Sequence, residues 1–146
     1  MISVTARSGI RALVYIAKQS IHGQRVGLSE VAEAVGAPMP YLGKILQVIT
    51  KHRVMSSIKG PGGGFYLTEQ QMEESVFDLL LVIDEPYWVN GCVLGLSACS
   101  HEEPCPLHEH IFPLKNELLE FIKNTSLKDL AQKVDAGKTF LQLTGT

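Results

Sequence analysis

Three cysteines lie within a fourteen-residue stretch of the chain, and a histidine follows the last of them. Cys92, Cys99 and Cys105 are spaced C-x6-C-x5-C, and His108 completes a C-x2-H step after Cys105. Thiolates are the ligands that zinc and iron–sulfur clusters prefer, and imidazole suits the same metals. An odd number of tightly clustered cysteines is a poor disulfide framework. The pattern therefore predicts a metal or cluster site with these four residues as ligands.

Two kinds of metal site fit this ligand set. Three cysteines and one histidine supply four ligands, as a closed zinc site requires and as a [2Fe–2S] or [4Fe–4S] cluster requires. Zinc sites usually contain closely paired cysteines, and this chain has no such pair, so a cluster is favoured over zinc. His101 and His110 are alternative ligands, but both lie beside acidic residues, so we expect them to be solvated.

The two sides of the chain carry opposite charge. Residues 1–67 contain eight Lys or Arg and two Glu, a net charge of +6. Residues 68–146 contain five Lys and thirteen Asp or Glu, a net charge of −8, so the whole chain has a net charge of −2. A basic half suggests an anionic partner such as nucleic acid for that half, while the acidic half is not expected to touch DNA.

Apolar spacing predicts several short helices before the cysteines. Residues 10–19 and 28–35 have apolar side chains at helical spacing, and a glycine follows each segment. A third helix is predicted over 40–49, because Pro38 and Pro40 are tolerated only near a helix start. Two short helices joined by a tight glycine-containing turn are typical of a helix-turn-helix.

A glycine-rich hairpin is predicted directly after the third helix. Residues 54–59 and 65–67 are strand-like, and the glycine-rich run 60–64 must turn between them. This order of elements is typical of a winged helix-turn-helix domain, in which a glycine backbone can approach a phosphate closely. The predicted DNA contacts are Tyr41 and Lys44 on the third helix, Lys59 at the hairpin base, and Gly60, Gly62, Gly63 and Gly64 at its tip. Half-buried packing is an equal alternative for Tyr41.

The second half of the chain is predicted to contain a long loop with helices on either side of it. Ser75 is expected to cap a helix over 76–83, a long helix is predicted over 106–124, and Ser126 opens a last helix over 127–134. The fold class is therefore mainly α with a small β-hairpin wing. The predicted units are a winged helix-turn-helix domain at 1–83, a cysteine-containing cluster-binding loop at 84–106, a long helix and a C-terminal helix at 107–134, and a tail at 135–146.

Composition and motifs exclude several classes of protein. Hydrophobic residues make up 45% and charged residues 19% of the 146 residues, which indicates a folded and not a disordered chain. No apolar run is long enough to cross a membrane, and the first residues lack a signal-peptide cleavage site, so the expected location is cytoplasmic. The glycine run is not a phosphate-binding loop of an enzyme, because Phe65 follows it where Lys and Ser or Thr are needed.

Residues 54–67, VMSSIKGPGGGFYL, preceded by Tyr41-Leu42 and followed by the three-cysteine loop, resemble the Rrf-two family of bacterial regulators. The resemblance covers roughly residues 3–134 and is to the iron–sulfur cluster-binding branch, whose members include the IscR and NsrR types. It implies a homodimeric winged-helix transcription factor in which the long helix, here 106–124, forms the dimer interface.

The resemblance also implies a ligand set. In cluster-binding members three loop cysteines hold the cluster, which corresponds to Cys92, Cys99 and Cys105. The fourth ligand is a histidine shortly after the third cysteine in one type, which corresponds to His108, and a carboxylate near the N-terminus in the other. The matching N-terminal region offers Arg7, which cannot bind iron, so His108 is favoured and [2Fe–2S] is favoured over [4Fe–4S]. Gly43 stands where some members have a glutamate, and Lys59 stands where arginine is common, so the operator sequence does not carry over.

The expected function is a homodimeric regulator, such as a repressor, that binds a palindromic double-stranded DNA operator. It would sense iron, redox state or nitric oxide through the cluster. The alternative is a zinc-dependent or thiol-redox winged-helix DNA-binding protein without an iron–sulfur cluster. An enzyme is not expected, because the sequence contains no paired nucleophile and base.

Overall fold

The computed structural model describes residues 2–84 and 87–142 as a set of helices with one two-stranded hairpin. The helices are α1 Val4–Ile21, α2 Leu28–Val35, α3 Met39–Lys51, α4 Glu69–Met72, α5 Val76–Ile83, α6 Tyr87–Asn90, α7 His108–Lys123 and α8 Leu127–Asp135. The strands are β1 Ser56–Ile58 and β2 Gly64–Tyr66. This confirms the predicted fold class. Residue 1 of the predicted first domain, 85–86 of the predicted loop and 143–146 of the predicted tail lie outside the described residues.

Local capping explains where the helices begin. The predicted bounds of α2 and α5 are confirmed, and the Ser75 hydroxyl accepts from the backbone N–H of Asp78 as the cap of α5. The predicted start of α1 at residue 10 is wrong by six residues, because the Ser3 hydroxyl accepts from the Ala6 N–H at 3.0 Å and starts the helix at Val4.

Two short helices were not predicted. Thr68 and Gln71 form a capping box, in which each side chain bonds the other residue's backbone N–H, and this starts α4. The second, α6, interrupts the segment 84–106, which was predicted to be irregular throughout. Both helices have only four residues, which is too short for apolar periodicity to show in the sequence.

The main core is built around α1. Leu13 and Ile16 of α1, Leu46 of α3 and Leu127 of α8 are completely buried in one cluster. Helix α8 therefore packs against the first helix of the chain, although more than a hundred residues separate them. A second, smaller cluster joins α1, α5 and α7 through Ala6, Val76, Leu80 and Ile122.

Helix α7 keeps much of its apolar surface outside this core. Ile122 is buried, whereas Leu114 is 60% and Phe121 is 57% exposed. Large apolar side chains on one exposed helix are typical of a surface that meets a partner. None of the described helices is long and apolar enough to span a bilayer.

Candidate metal centre and nucleic-acid interface

The three cysteines come together in the loop between α6 and α7. All three are free thiols, and their Sγ atoms lie within 4.8 Å of one another. Cys105 is buried and the other two are half-buried, whereas every other residue from 91 to 107 is exposed. The loop therefore directs its thiols inward and its remaining side chains toward solvent.

Backbone turns and one side chain of α7 shape this loop. The Gly95 N–H donates to the Cys92 carbonyl at 2.9 Å, and Gly95 adopts a φ of +73°, which favours glycine. The His108 N–H donates to the Cys105 carbonyl at 3.0 Å. The ammonium of Lys115 donates to the Gly91 carbonyl at 2.7 Å. Both ends of the loop are thereby attached to α7.

His108 completes the group of predicted ligands. It is the first residue of α7, and its Nδ1 lies 3.1 Å from the Sγ of Cys99. The four side chains line one cavity of about 300 Å³, together with apolar residues such as Val89 and Ile111. Three thiols and an imidazole nitrogen converge there, and the residues present therefore fit a thiophilic metal ion or an iron–sulfur cluster.

Two of the thiols titrate differently. Hydrogen bonding, chiefly from the backbone of Leu96, lowers the pKa of Cys92 to about 7. Burial raises the pKa of Cys105 above its usual value. A lowered pKa favours the thiolate, which is the form that binds metals and attacks oxidants.

His101 lies closer to the site than the sequence indicated. Its side chain is exposed, as expected, but its Nδ1 is 3.3 Å from the Nε2 of His108. The interpretation of His101 as a solvated residue beside two acidic ones therefore misses a direct contact with a predicted ligand. No spacing rule marks this contact, because it depends on how the loop folds back onto α7.

The hairpin is an antiparallel pair in which Ser57 faces Phe65 across the strands. A Cβ at Gly63 would overlap the carbonyl oxygen of Ile58, and a Cβ at Gly64 would lie 2.7 Å from the carbonyl oxygen of Val26. The hairpin itself thus requires these two glycines, whether or not they approach a phosphate. Gly60 and Gly62 have open space around them and adopt positive φ angles.

A residue that the sequence did not single out holds the hairpin tip. The guanidinium of Arg25 donates to the Gly62 carbonyl at 3.3 Å and lies 5.5 Å from the ring centre of Tyr66. Its neighbour Val26 exchanges two backbone hydrogen bonds with Phe65, at 2.7 and 3.1 Å. Arg25 belongs to the basic half, but only the tertiary fold brings it to the hairpin.

The predicted DNA contacts on α3 differ in exposure. Lys44 is exposed, as is Lys59 in the hairpin. Tyr41 is half-buried, and its hydroxyl donates to the Thr5 hydroxyl at 3.1 Å, which favours the packing alternative for this side chain. A Cβ at Gly43 would lie 3.2 Å from the Leu28 side chain, so a small residue there lets α2 and α3 approach.

A comparison with protein families agrees with this arrangement. The model of the Rrf2 family, described as iron-dependent transcriptional regulators, matches residues 2–133. The chain belongs to the Rrf2 family. Rrf2 proteins are transcription regulators that bind DNA and not enzymes, which confirms the predicted class of function.

Individual relatives support the same assignment. An HTH-type regulator from Aquifex aeolicus is 32% identical over 130 residues, which cover 88% of this chain and 89% of that protein. The IscR of Photorhabdus laumondii is 27% identical over 85% of this chain and 74% of its own length. Among solved structures, T. potens IscR has a TM-score of 0.70 at 19% identity and covers 95% of this chain and 91% of its own. CymR, the global cysteine regulator of B. subtilis, has a TM-score of 0.71 at 20% identity, with 90% and 96% covered.

Proposed function

We propose that this Rrf2 protein is a homodimeric transcription regulator that senses iron, redox state or nitric oxide through an iron–sulfur cluster. The observation that carries the proposal is the convergence of Cys92, Cys99, Cys105 and His108 on one cavity. We propose a [2Fe–2S] cluster in preference to [4Fe–4S]; four ligands suffice for either cluster, as two for each of two irons or one for each of four. A protein with this function acts on DNA in the cytoplasm.

The ligand residues have separate tasks in this proposal. When bound, the cluster supplies a redox-active core that oxidants and nitric oxide can modify. Cys92, Cys99 and Cys105 would hold the cluster and thereby keep the loop closed, since the rest of the loop has no buried side chain. His108 attaches the same site to the first turn of α7, so the state of the loop bears on where α7 lies.

A path of packed helices leads from the loop to the DNA-binding half. Helix α7 packs against α5, and α5 packs in turn against α1 and α3. We propose that ligand binding in the loop fixes α7, and with it the spacing of the two copies of α3 in the dimer. That spacing sets the affinity for a palindromic operator, because each α3 must enter its own major groove.

The dimer itself is proposed to form through α7. Its exposed apolar side chains include Phe112, Leu114 and Phe121, which are 37%, 60% and 57% exposed. Burying such side chains against a second copy removes apolar surface from water and stabilises the association.

The proposed DNA surface combines α3 and the hairpin. Lys44 and Lys59 are exposed and available to phosphates, the tip glycines Gly60 and Gly62 present open backbone, and Gly63 and Gly64 shape the turn. Tyr41 is included in the proposed DNA surface because it lies on α3.

Each phosphate contact contributes about 0.9 to the slope of log affinity against log salt. The slope measured with mixed-sequence duplex DNA should therefore fall by about one in Lys44→Ala and again in Lys59→Ala. A slope unchanged in both variants would refute this surface.

The deciding experiment is the anaerobic visible spectrum of the purified protein, with iron, sulfide and zinc assayed on the same sample. We expect a brown protein with iron and sulfide that loses its colour in air, and quenched fluorescence from Trp88, which is near the loop. A colourless protein with stoichiometric zinc that resists anaerobic reconstitution would refute the cluster. It would favour the zinc-dependent or thiol-redox alternative, which the same Cys₃His ligand set supports.

A further inference from the structure

His108 is held from both edges of its ring. Its Nδ1 lies 3.1 Å from Cys99 Sγ, and its Nε2 lies 3.3 Å from the Nδ1 of His101. The two nitrogens are distinct hydrogen-bonding groups of one ring, so a partner at one influences what the other can do. His101 thus occupies the edge of His108 that does not face Cys99.

The orientation of both imidazoles depends on Phe112, which is one helical turn after His108 on α7. The rings of His108 and Phe112 are stacked, with centres 5.3 Å apart and planes 15° apart. His101 meets the same phenyl ring edge-on, with centres 4.4 Å apart and planes at 77°. Phe112 is therefore a common support that limits how far either histidine can rotate.

A tight turn holds His101 in place without the help of a metal. The Ser100 hydroxyl accepts from the backbone N–H groups of Glu102 and Glu103, at 3.2 and 3.1 Å. The Ser100 N–H donates in turn to the Glu103 carbonyl at 3.2 Å. Residues 100–103 thus form a compact turn that presents His101 to His108.

The tautomer of His108 decides which of its two nitrogens can bind a metal. A neutral imidazole carries its proton on one nitrogen, and only the other nitrogen has a lone pair for a metal. If the Nε2–H of His108 donates to His101, the lone pair of His108 is on Nδ1, beside Cys99. The opposite tautomer would place a proton on the nitrogen that faces the thiols and would block binding there.

We propose that His101 is a positioning residue of the metal centre, which accepts the Nε2–H of His108 and keeps its Nδ1 free to bind metal. A histidine here does what a carboxylate or a backbone carbonyl does for most ligating histidines. The inference rests on the proposed function in that His108 is a ligand, but it holds for zinc as well as for an iron–sulfur cluster.

The test uses the full-length protein in its reduced, metal-free form, with zinc as the probe. His101→Phe keeps a ring against Phe112 and removes the nitrogen that accepts. We expect NMR of the labelled ring nitrogens to show the Nε2–H tautomer of His108 in the wild type and a mixture of tautomers in His101→Phe. Zinc affinity should fall about 10- to 100-fold. His101→Gln restores an acceptor and should recover most of both signals.

The matched control is His52→Phe, the same change at an exposed position at the end of α3 and outside the loop. It should leave both the tautomer and the zinc affinity unchanged. Wild-type behaviour of His101→Phe in both measurements would overturn the inference. So would complete loss of zinc binding in both His101→Phe and His101→Gln, because His101 would then be a ligand itself.

The iron and sulfide content of the wild type separates this inference from the proposed function. A wild-type protein without a cluster, whose zinc affinity still depends on His101, would refute the proposed function and support the inference. A cluster-loaded wild type whose zinc affinity and tautomer do not depend on His101 would refute only the inference.

Discussion

The helices and hairpin of residues 2–84 and the cysteine loop 91–107 are held in shape by different interactions. In the first half, apolar side chains such as Leu13, Leu42 and Leu46 are completely buried, and backbone hydrogen bonds join the hairpin to Val26. In the loop 91–107 only Cys105 is buried, and the contacts that converge there are between thiols and imidazoles. Hydrophobic burial supports the first region without any ligand. The conformation of the loop depends on the metal or cluster that its thiols and imidazole are proposed to bind.

Because of this difference, we expect the stability of the fold to be independent of the proposed response of the loop to a signal. A region with a buried core unfolds only in a cooperative transition, whereas a region with few buried contacts can open locally at small cost. The proposed sensing function benefits from the second property, because losing one ligand would then rearrange the loop and leave the winged-helix fold intact. The predictions below test this separation.

The largest expected effect is the loss of metal from Cys99→Ala. Removing one of three thiols should abolish cluster or zinc binding, measured by metal and sulfide assays after anaerobic reconstitution. The metal-free variant should unfold at the same denaturant concentration as the metal-free wild type, because half-buried loop side chains contribute within about 0.5 kcal/mol. Ser97→Ala, at an exposed position in the same loop, is the control and should load normally. If Cys99→Ala unfolds the whole chain, the site is structural and the separation is wrong.

Leu46→Ala should lower the stability of the fold and leave metal binding unchanged. Leu46 is completely buried in the main core, so truncation should lower the free energy of unfolding by about 2–5 kcal/mol through lost burial and a cavity. Urea denaturation measures this change. Metal loading per folded molecule should stay at the wild-type value. If fully folded Leu46→Ala protein, in the absence of urea, binds less metal than the wild type, the core and the cysteine loop are coupled.

Gly63→Ala should damage the wing while sparing the core. The new Cβ would overlap the Ile58 carbonyl, so the hairpin must distort, and the salt slope of binding to mixed-sequence duplex DNA should fall by about one or two. In Gly27→Ala the new Cβ meets nothing within 4 Å, so this control should bind as the wild type does. Equal slopes in the two variants would mean that the shape of the wing does not matter for binding.

The smallest expected effect is a difference in reactivity within the loop. In the reduced, metal-free protein, Cys92 should be alkylated several-fold faster than Cys105 at neutral pH, as followed by mass spectrometry. A pKa lowered to about 7 means that the Cys92 thiolate forms as the pH rises through 7, and its rate should be half-maximal there. Burial raises the pKa of Cys105, so its rate should rise only at higher pH. Identical pH profiles for the two thiols would contradict the hydrogen bonding described for Cys92.

Much of the architecture could be predicted because its signals are local. The bounds of α2 and α5 follow from apolar spacing and a cap or a glycine at their ends. The four-residue helices α4 and α6 could not be predicted in this way, because one turn is shorter than the period that a pattern needs. The α1 start at Val4 was missed because Ser3 is a capping signal outside the predicted apolar stripe.

The same distinction between what the sequence could and could not predict applies to the candidate site. The types and spacing of Cys92, Cys99, Cys105 and His108 predicted a ligand set, and folding brings these residues together. The sequence could not show that His101 contacts His108 or that Arg25 holds the hairpin tip, because these contacts depend on the path of the chain between the partners.

By itself, then, the sequence determined the order of the helices longer than one turn, the presence of a wing and the identity of the thiols and the imidazole that converge on one cavity. Those properties depend on residue chemistry and on periods of a few residues. The tertiary structure alone decided that Gly63 and Gly64 are required by close backbone approach and that the Tyr41 hydroxyl bonds to Thr5. The physical reason is that packing and close approach act between groups that are distant in the chain and meet only after the core has formed.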